Sequence, residues 1–168
     1  LTFTTNGDIT IAAAGSVSGG GNLTLQQSTN NTAIGMGGTA GAINLTSTEV
    51  GRIGDGWTNI ILGRSDNTAT IGMGAISTWR DAFTILSNTG ALNITGAQTF
   101  GANNVSIITD GDITLGITNS LYALGGTLSI TQRSVGTTIG LGDSQTGDIT
   151  LNTTEVTRLR DGFTNITI

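Results

Sequence analysis

Gly111-Asp112-Ile113-Thr114-Leu115 stands 104 residues after Gly7-Asp8-Ile9-Thr10-Ile11, and the reading of this pair decides the fold. In each copy two aliphatic residues flank a Thr. Alternation with a period of two marks a strand, whose outer side chains point one way and the middle one the other. The same beat recurs at Leu23-Thr24-Leu25, Ile43-Asn44-Leu45, Leu92-Asn93-Ile94, Val105-Ser106-Ile107, Leu128-Ser129-Ile130, Ile149-Thr150-Leu151 and Ile166-Thr167-Ile168, with Ile60-Ile61-Leu62 as an apolar variant. Gly, Asn, Asp and Ser separate the triplets, as turns require.

The pair belongs to a longer repeat. Leu23 and Leu25 return as Leu128 and Ile130, and Ile34-Gly35-Met36-Gly37 returns as Ile139-Gly140-Leu141-Gly142, both at an offset of 105. Thr48-Glu49-Val50 returns as Thr154-Glu155-Val156 at 106. Single insertions in two loops account for the drift. The chain reads as one repetitive segment over residues 1–168, with a super-repeat over 1–104 and a partial second copy over 105–168.

Three-residue strands are marginal in a hairpin but suit a solenoid, where each strand stacks on its equivalent in the next coil, about 4.8 Å away. The expected fold is therefore all-β: a parallel β-solenoid of roughly 20 residues per coil and about 8 coils. Ile9, Ile11, Leu23, Leu25, Ile43, Leu45, Ile60, Leu62, Ile113, Leu115, Leu128, Ile130, Ile149 and Leu151 are expected inside. Thr10, Thr24, Asn44, Thr114, Ser129 and Thr150 are expected outside. The chain has no Pro, which fits a stack in which every ladder bond is made.

One corner is larger. Thr48-Glu49-Val50-Gly51-Arg52-Ile53-Gly54-Asp55-Gly56-Trp57 returns as Thr154-Glu155-Val156-Thr157-Arg158-Leu159-Arg160-Asp161-Gly162-Phe163, and Ser77 to Ile85 reads as a shortened third copy. Val50 and Ile53 share a face in one helical turn. That turn is expected to start at Thr48, end at Asp55-Gly56 and seal one edge of the barrel, with Trp57 or Phe163 folded inward. Glu49 with Arg52, and Glu155 with Arg158, read as surface pairs contributing under about 0.5 kcal/mol.

From Asp55-Gly56-Trp57-Thr58-Asn59-Ile60-Ile61-Leu62-Gly63-Arg64-Ser65-Asp66 the chain resembles the repeat regions of filamentous-haemagglutinin-like giant secreted bacterial adhesins and related β-strand-repeat surface proteins. The resemblance in style covers the whole chain, while the specific motif covers residues 45–66 and 151–168, with a weak copy near 77–85. Trp57 stands where the motif usually has Phe, which Phe163 supplies. The resemblance implies a right-handed parallel β-helix that forms an extracellular shaft at the cell surface. It brings no receptor-binding motif.

Composition narrows the chemistry. Of 168 residues, 10% are charged, against about 25% in ordinary soluble domains. Net charge is −5, all six cations are Arg, and His and Cys are absent. A hydrophobic fraction of 36% in regular order argues against disorder. No window of 18 apolar residues exists to span a membrane, and the start lacks a signal peptide's charged and apolar regions. The acidic balance argues against nucleic acid. Lack of His and Cys removes catalytic triads, thiol nucleophiles and most zinc sites.

Asp8, Asp112 and Asp148 each follow a Gly, so they read as turn carboxylates. Asp110-Gly111-Asp112 offers two carboxylates where calcium takes six to eight oxygens, and reads as a turn too. The Gly-x-Gly clusters lack the helix and Lys of a phosphate loop, so Met36, Met73 and Leu141 read as core. Seven Asn-x-Ser/Thr sequons, at Asn22, Asn30, Asn44, Asn93, Asn104, Asn152 and Asn165, follow from the strand pattern. No catalytic, cofactor or metal site is assigned.

The expected function is a non-catalytic structural shaft segment of a secreted bacterial cell-surface fibre or adhesin. Neither Leu1-Thr2-Phe3 nor Ile166-Thr167-Ile168 resembles a polar cap, so the expected partner is the chain itself, stacked end to end or continuing. Other cells or surface carbohydrate are the expected adhesive targets. The second reading is an ice-binding or carbohydrate-binding module using outward Thr and Asn rows. A flat Thr grid would mark ice, an aromatic-lined groove sugar, and a featureless polar surface a shaft.

Overall fold

A strand of three residues satisfies its backbone N–H and C=O groups only against neighbours. The computed structural model describes residues 1–159 and 162–168 and shows where those neighbours come from. The large sheet has seven strands in the order β1 (Thr2–Thr5), β2 (Asn22–Gln27), β5 (Asn59–Gly63), β7 (Phe83–Leu86), β10 (Val105–Ile108), β13 (Thr127–Thr131) and β16 (Asn165–Thr167). A second sheet runs β11 (Ile113–Leu115), β8 (Leu92–Ile94), β6 (Ile71–Met73), β3 (Ile34–Met36), β4 (Ile43–Leu45). Two pairs complete the set: β9 (Gln98–Thr99) with β12 (Leu121–Tyr122), and β14 (Ile139–Leu141) with β15 (Ile149–Leu151). The pairings are parallel, as the expected all-β class requires. Single bridges at Val17–Ile53, Ile76–Gln98 and Leu121–Leu159 form a third line of contact.

Register places like on like. Leu23, Ile60, Phe83, Val105, Leu128 and Ile166 stand side by side across the large sheet. The next inward row is Phe3, Leu25, Leu62, Ile85, Ile107 and Ile130. Facing rows come from Ile43, Ile34, Ile71, Leu92 and Ile113, and from Leu45, Met36, Met73, Ile94 and Leu115. These residues join one core, with Phe3 only partly buried and Ile166 outside it. Each buried aliphatic side chain contributes about 1.5–3 kcal/mol. Of the fourteen residues expected inside, only Ile9 is merely half-buried.

The spacing differs from expectation. Successive large-sheet strands are 22 or 23 residues apart, as from Phe3 to Leu25 and from Ile60 to Phe83. The interval grows to 37 between Leu23 and Ile60, and to 38 between Leu128 and Ile166. The additional residues are an excursion: after β3 the chain doubles back so that Ile43 of β4 lies opposite Ile34. β14 and β15 repeat it, with Ile139 opposite Ile149. The large sheet has seven strands, not the eight that a 20-residue interval implied.

The excursion explains the Gly-x-Gly motif. A methyl group on Gly35 would sit 2.2 Å from the Thr39 carbonyl oxygen, and one on Gly140 would sit 2.9 Å from that of Thr146. Gly37 and Gly142 start the return turns at φ +64° and +95°. Met36 and Met73 are buried, but Leu141 is 47% exposed. β6 lies against β3, while no described strand lies against β14 on that side.

Two local expectations fail. Ile9-Thr10-Ile11 is not a strand, because no strand pairs with it. The triplet at residues 166–168 gives β16, with Ile166 and Ile168 45% and 40% exposed where no described strand follows it in the ladder. The segment from Ser77 to Ile85 is no third copy of the helical corner. Phe83 sits in register with Ile60, not with Trp57, and it packs with Trp79 and Phe100 at ring-centroid distances of 4.1 and 5.7 Å.

Replacing Ile113, fully buried, with Asp leaves an unpaired charge in the core. Replacing exposed Thr114 with Asp does not. The expected result in urea denaturation is loss of cooperative folding for Ile113→Asp and a midpoint shift of well under half that size for Thr114→Asp. Equal losses would refute the inside–outside assignment.

Candidate functional site

The repeated corner begins with capping chemistry. α1 (Ser47–Val50) has Thr46 as its N-cap, not Thr48, and closes at Gly51, not at Asp55-Gly56. The Thr46 hydroxyl accepts from the Glu49 N–H at 3.3 Å, and the Thr46 N–H donates back to Glu49 Oε2 at 2.9 Å. α2 (Thr153–Val156) repeats this with Asn152 and Glu155, at 2.9 and 3.1 Å. Val50 and Ile53 are buried together and Trp57 folds inward, while Phe163 is half-buried. Arg160 and Asp161 of the second corner lie outside the described residues.

The second carboxylate oxygen of each Glu reaches across the fold. Glu49 Oε1 accepts from the Ile11 N–H at 3.3 Å, and Arg52 Nη1 donates to the Ile11 carbonyl at 2.7 Å. In the second copy Glu155 Oε1 accepts from the Leu115 N–H at 3.1 Å, and Arg158 donates to the Leu115 carbonyl. These are not the surface ion pairs expected from spacing. Among the described residues the ion pair is Arg64–Asp66. The Glu and Arg together act as a clamp that takes both backbone groups of one residue, as a neighbouring strand would. Asp112 assists: its Oδ1 accepts from the Thr150 N–H at 2.8 Å and its hydroxyl at 3.0 Å.

Other carboxylates also hold turns. Asp110 Oδ1 accepts from the N–H groups of Arg133 and Ser134 at 2.8 and 2.9 Å and from the Thr137 hydroxyl at 2.9 Å. Asn6, one repeat earlier, accepts from Ser28 and Thr29 at 2.9 and 3.1 Å. Asp148 accepts from the Thr138 N–H at 2.9 Å. Hydrogen bonds from Thr46 lower the Glu49 pKa, and those from Thr138 lower the Asp148 pKa. At Asp110 burial pushes upward, but bonds from Ser134, Thr137 and Arg133 outweigh it and the pKa falls. The pair in Asp110-Gly111-Asp112 is thus committed to two separate partners, Asp110 to the turn at Arg133–Thr137 and Asp112 to Thr150 of β15.

The outer face of the large sheet is uncharged. One row reads Thr2, Thr24, Ile61, Thr84, Ser106, Ser129, Thr167, and beside it Asn22 pairs with Asn59 and Thr127 with Asn165, while Ala82 and Asn104, just before β7 and β10, accept from the Ile60 and Phe83 N–H groups. Ile61 and Ala82 interrupt both rows. Trp57, Trp79, Phe83 and Phe100 are buried, so no aromatic groove opens on this face among the described residues. A shallow depression of about 310 Å³ lies over Asn59, Thr84, Asn104 and Ser106, and one of about 460 Å³ over Gln26, Ile61, Arg64 and Asp66. Of the sequon residues, Asn22, Asn30, Asn104, Asn152 and Asn165 are exposed, and Asn44 and Asn93 are half-buried. No helix among the described residues is long and apolar enough to cross a membrane. Comparison with protein families, curated proteins and solved structures gives no match.

Glu155→Ala leaves the Leu115 N–H without its acceptor, at an expected cost of about 1–3 kcal/mol. Exposed Arg80→Ala is the control, expected within about 0.5 kcal/mol. If urea denaturation ranks the two alike, the clamp does not stabilise the corner. The lowered pKa values also set a pH response. A carboxylate whose folded pKa lies below its unfolded value stabilises fully above the unfolded value, near 4, and that contribution disappears as pH falls through the folded one. Glu49, Asp110 and Asp148 follow this sign, and Asp81, whose pKa is raised, opposes it. The melting temperature is expected to fall between about pH 4.5 and pH 2, and a flat or rising profile would contradict the assignment.

Proposed function

We propose that the chain is a closed, right-handed parallel β-solenoid that serves as a non-catalytic structural shaft segment in a secreted bacterial surface fibre. The observation that carries this reading is the unbroken seven-stranded parallel ladder, with apolar residues in register from Leu23 to Leu128. Parallel neighbours need a crossover, and here every crossover after the one from β1 to β2 contributes a strand to the second sheet or to the short pair β14–β15. Crossovers between parallel strands are right-handed in about 98% of cases. Seven strands at about 4.8 Å spacing give a rod segment roughly 29 Å long.

The uncharged outer face supports a shaft more than a ligand module. Its Thr row is broken by Ile61 and mixed with Ser, unlike the regular grid that ice would need, and its aromatics are inside. β1 and β16 form the two edges of the ladder, where a further coil or copy pairs in the proposed fibre. The resemblance of residues 55–66 to a motif of large secreted bacterial surface proteins supports the extracellular setting.

Immunogold electron microscopy of intact source cells, with antibody raised against this segment, tests the assignment. Gold along surface projections is the expected result. Label only in permeabilised cells, with none on any projection, would overturn it.

A further inference from the structure

The turns that lead into β5 and β7 bring together two carboxylates that the ladder does not need. Asp81 is 6% exposed. Its Oδ1 accepts from the Gly56 N–H at 3.0 Å, but its Oδ2 is buried and meets no donor. Burial pushes the Asp81 pKa up, Asp55 pushes it further, and the backbone N–H groups of Gly56 and Trp57 oppose this without reversing it. Asp55 itself is exposed, so it forms the outer lip of the corner. Backbone oxygen lies close by. The Gly19 carbonyl oxygen stands 3.6 Å from the place a methyl group on Gly56 would occupy, and the Gly20 carbonyl accepts from the Thr58 hydroxyl at 2.9 Å.

A buried carboxylate with one oxygen that has no donor, bonded through its other oxygen to the residue that follows a second carboxylate, is unfavourable when both are bare anions. Either a proton or a cation relieves them. The ion pair among the described residues is Arg64–Asp66, so no Arg in that set neutralises Asp81. An all-oxygen surrounding suits a hard divalent cation.

We propose that Asp55 and Asp81 form a calcium-type divalent-cation site, with the ion held on Asp81 Oδ2 and bridged to Asp55. No three acidic side chains cluster among the described residues, so backbone carbonyls and water complete the shell. Two anionic ligands correspond to weak extracellular binding, with a Kd of about 10⁻⁴–10⁻³ M. The bound ion ties the turn before β5 to the turn before β7 and stiffens two successive strands of the large sheet against each other.

Terbium provides the probe, because Trp57 and Trp79 each stand two residues from one of the carboxylates and serve as antennae. On Trp excitation the chain is expected to give saturable terbium emission, displaced by calcium at about 1 mM. Calcium is expected to raise the melting temperature of the wild type. Asp81→Asn and Asp55→Asn are each expected to lose emission at least tenfold and to lose the calcium-dependent shift, with circular dichroism reporting that they fold. Asp55 is exposed, so Asp55→Asn decides the matter if Asp81→Asn does not fold. Emission that persists in Asp55→Asn, or no saturable emission at all, would overturn the site. So would a wild-type melting temperature indifferent to calcium, the behaviour of a carboxyl pair that holds only a proton.

Discussion

A strand of three or four residues exposes nearly as many backbone groups as it has, and each group left dry and unbonded costs about 1–3 kcal/mol. The parallel ladder meets that demand, and the rest of the structure accommodates it. Register must hold between every neighbouring pair, so variation in length is expelled from the strands. The chain spends 22 or 23 residues between large-sheet strands in four intervals and 37 or 38 in the other two, yet Leu23, Ile60, Phe83, Val105, Leu128 and Ile166 stay opposite one another. Excess length leaves as the β3–β4 and β14–β15 excursions, which make their own parallel pairs.

Where the ladder cannot continue, side chains imitate it. The Glu49–Arg52 and Glu155–Arg158 clamps each take one N–H and one C=O, the two bonds a strand neighbour would have offered. The same demand explains polar residues inside. Gln27, Asn67, Ser87 and Thr109 are completely buried where the chain leaves the large sheet. Asn67 Nδ2 donates to Ser87 Oγ at 3.0 Å and to the Ala69 carbonyl at 2.7 Å, and the Thr109 hydroxyl donates to the Asn88 carbonyl at 3.1 Å. Turning the chain inside a dry core requires donors for carbonyls that no strand reaches.

This economy of charge bears on the proposed shaft. With 10% charged residues, several carboxylates occupied by backbone N–H groups and an uncharged sheet face, the surface offers few strong contacts along its length. That suits an element that separates other parts. The Asp55–Asp81 corner departs from it, since its buried oxygen has no internal partner.

The period-two triplets and the 105-residue offset were sufficient to identify many of the strands, their parallel stacking and all but Ile9 of the fourteen side chains expected inside, because strand geometry alone assigns alternate residues to opposite faces. The helical corner was legible in Thr48-Glu49-Val50, though its cap lies two residues earlier, at Thr46, where the capping box closes. The targets of Glu49 and Arg52 were not legible. Spacing of three brings them onto one face, but Ile11, which they hold, lies 38 and 41 residues away. Likewise Phe83 reads as a counterpart of Trp57 by motif, while pairing puts it opposite Ile60. Within the strands that form, sequence determined which side chains alternate toward the core, a local property of the backbone. Tertiary structure decided which distant backbone groups lacked a partner and which side chains met them, because that depends on how every pass stacks on the next.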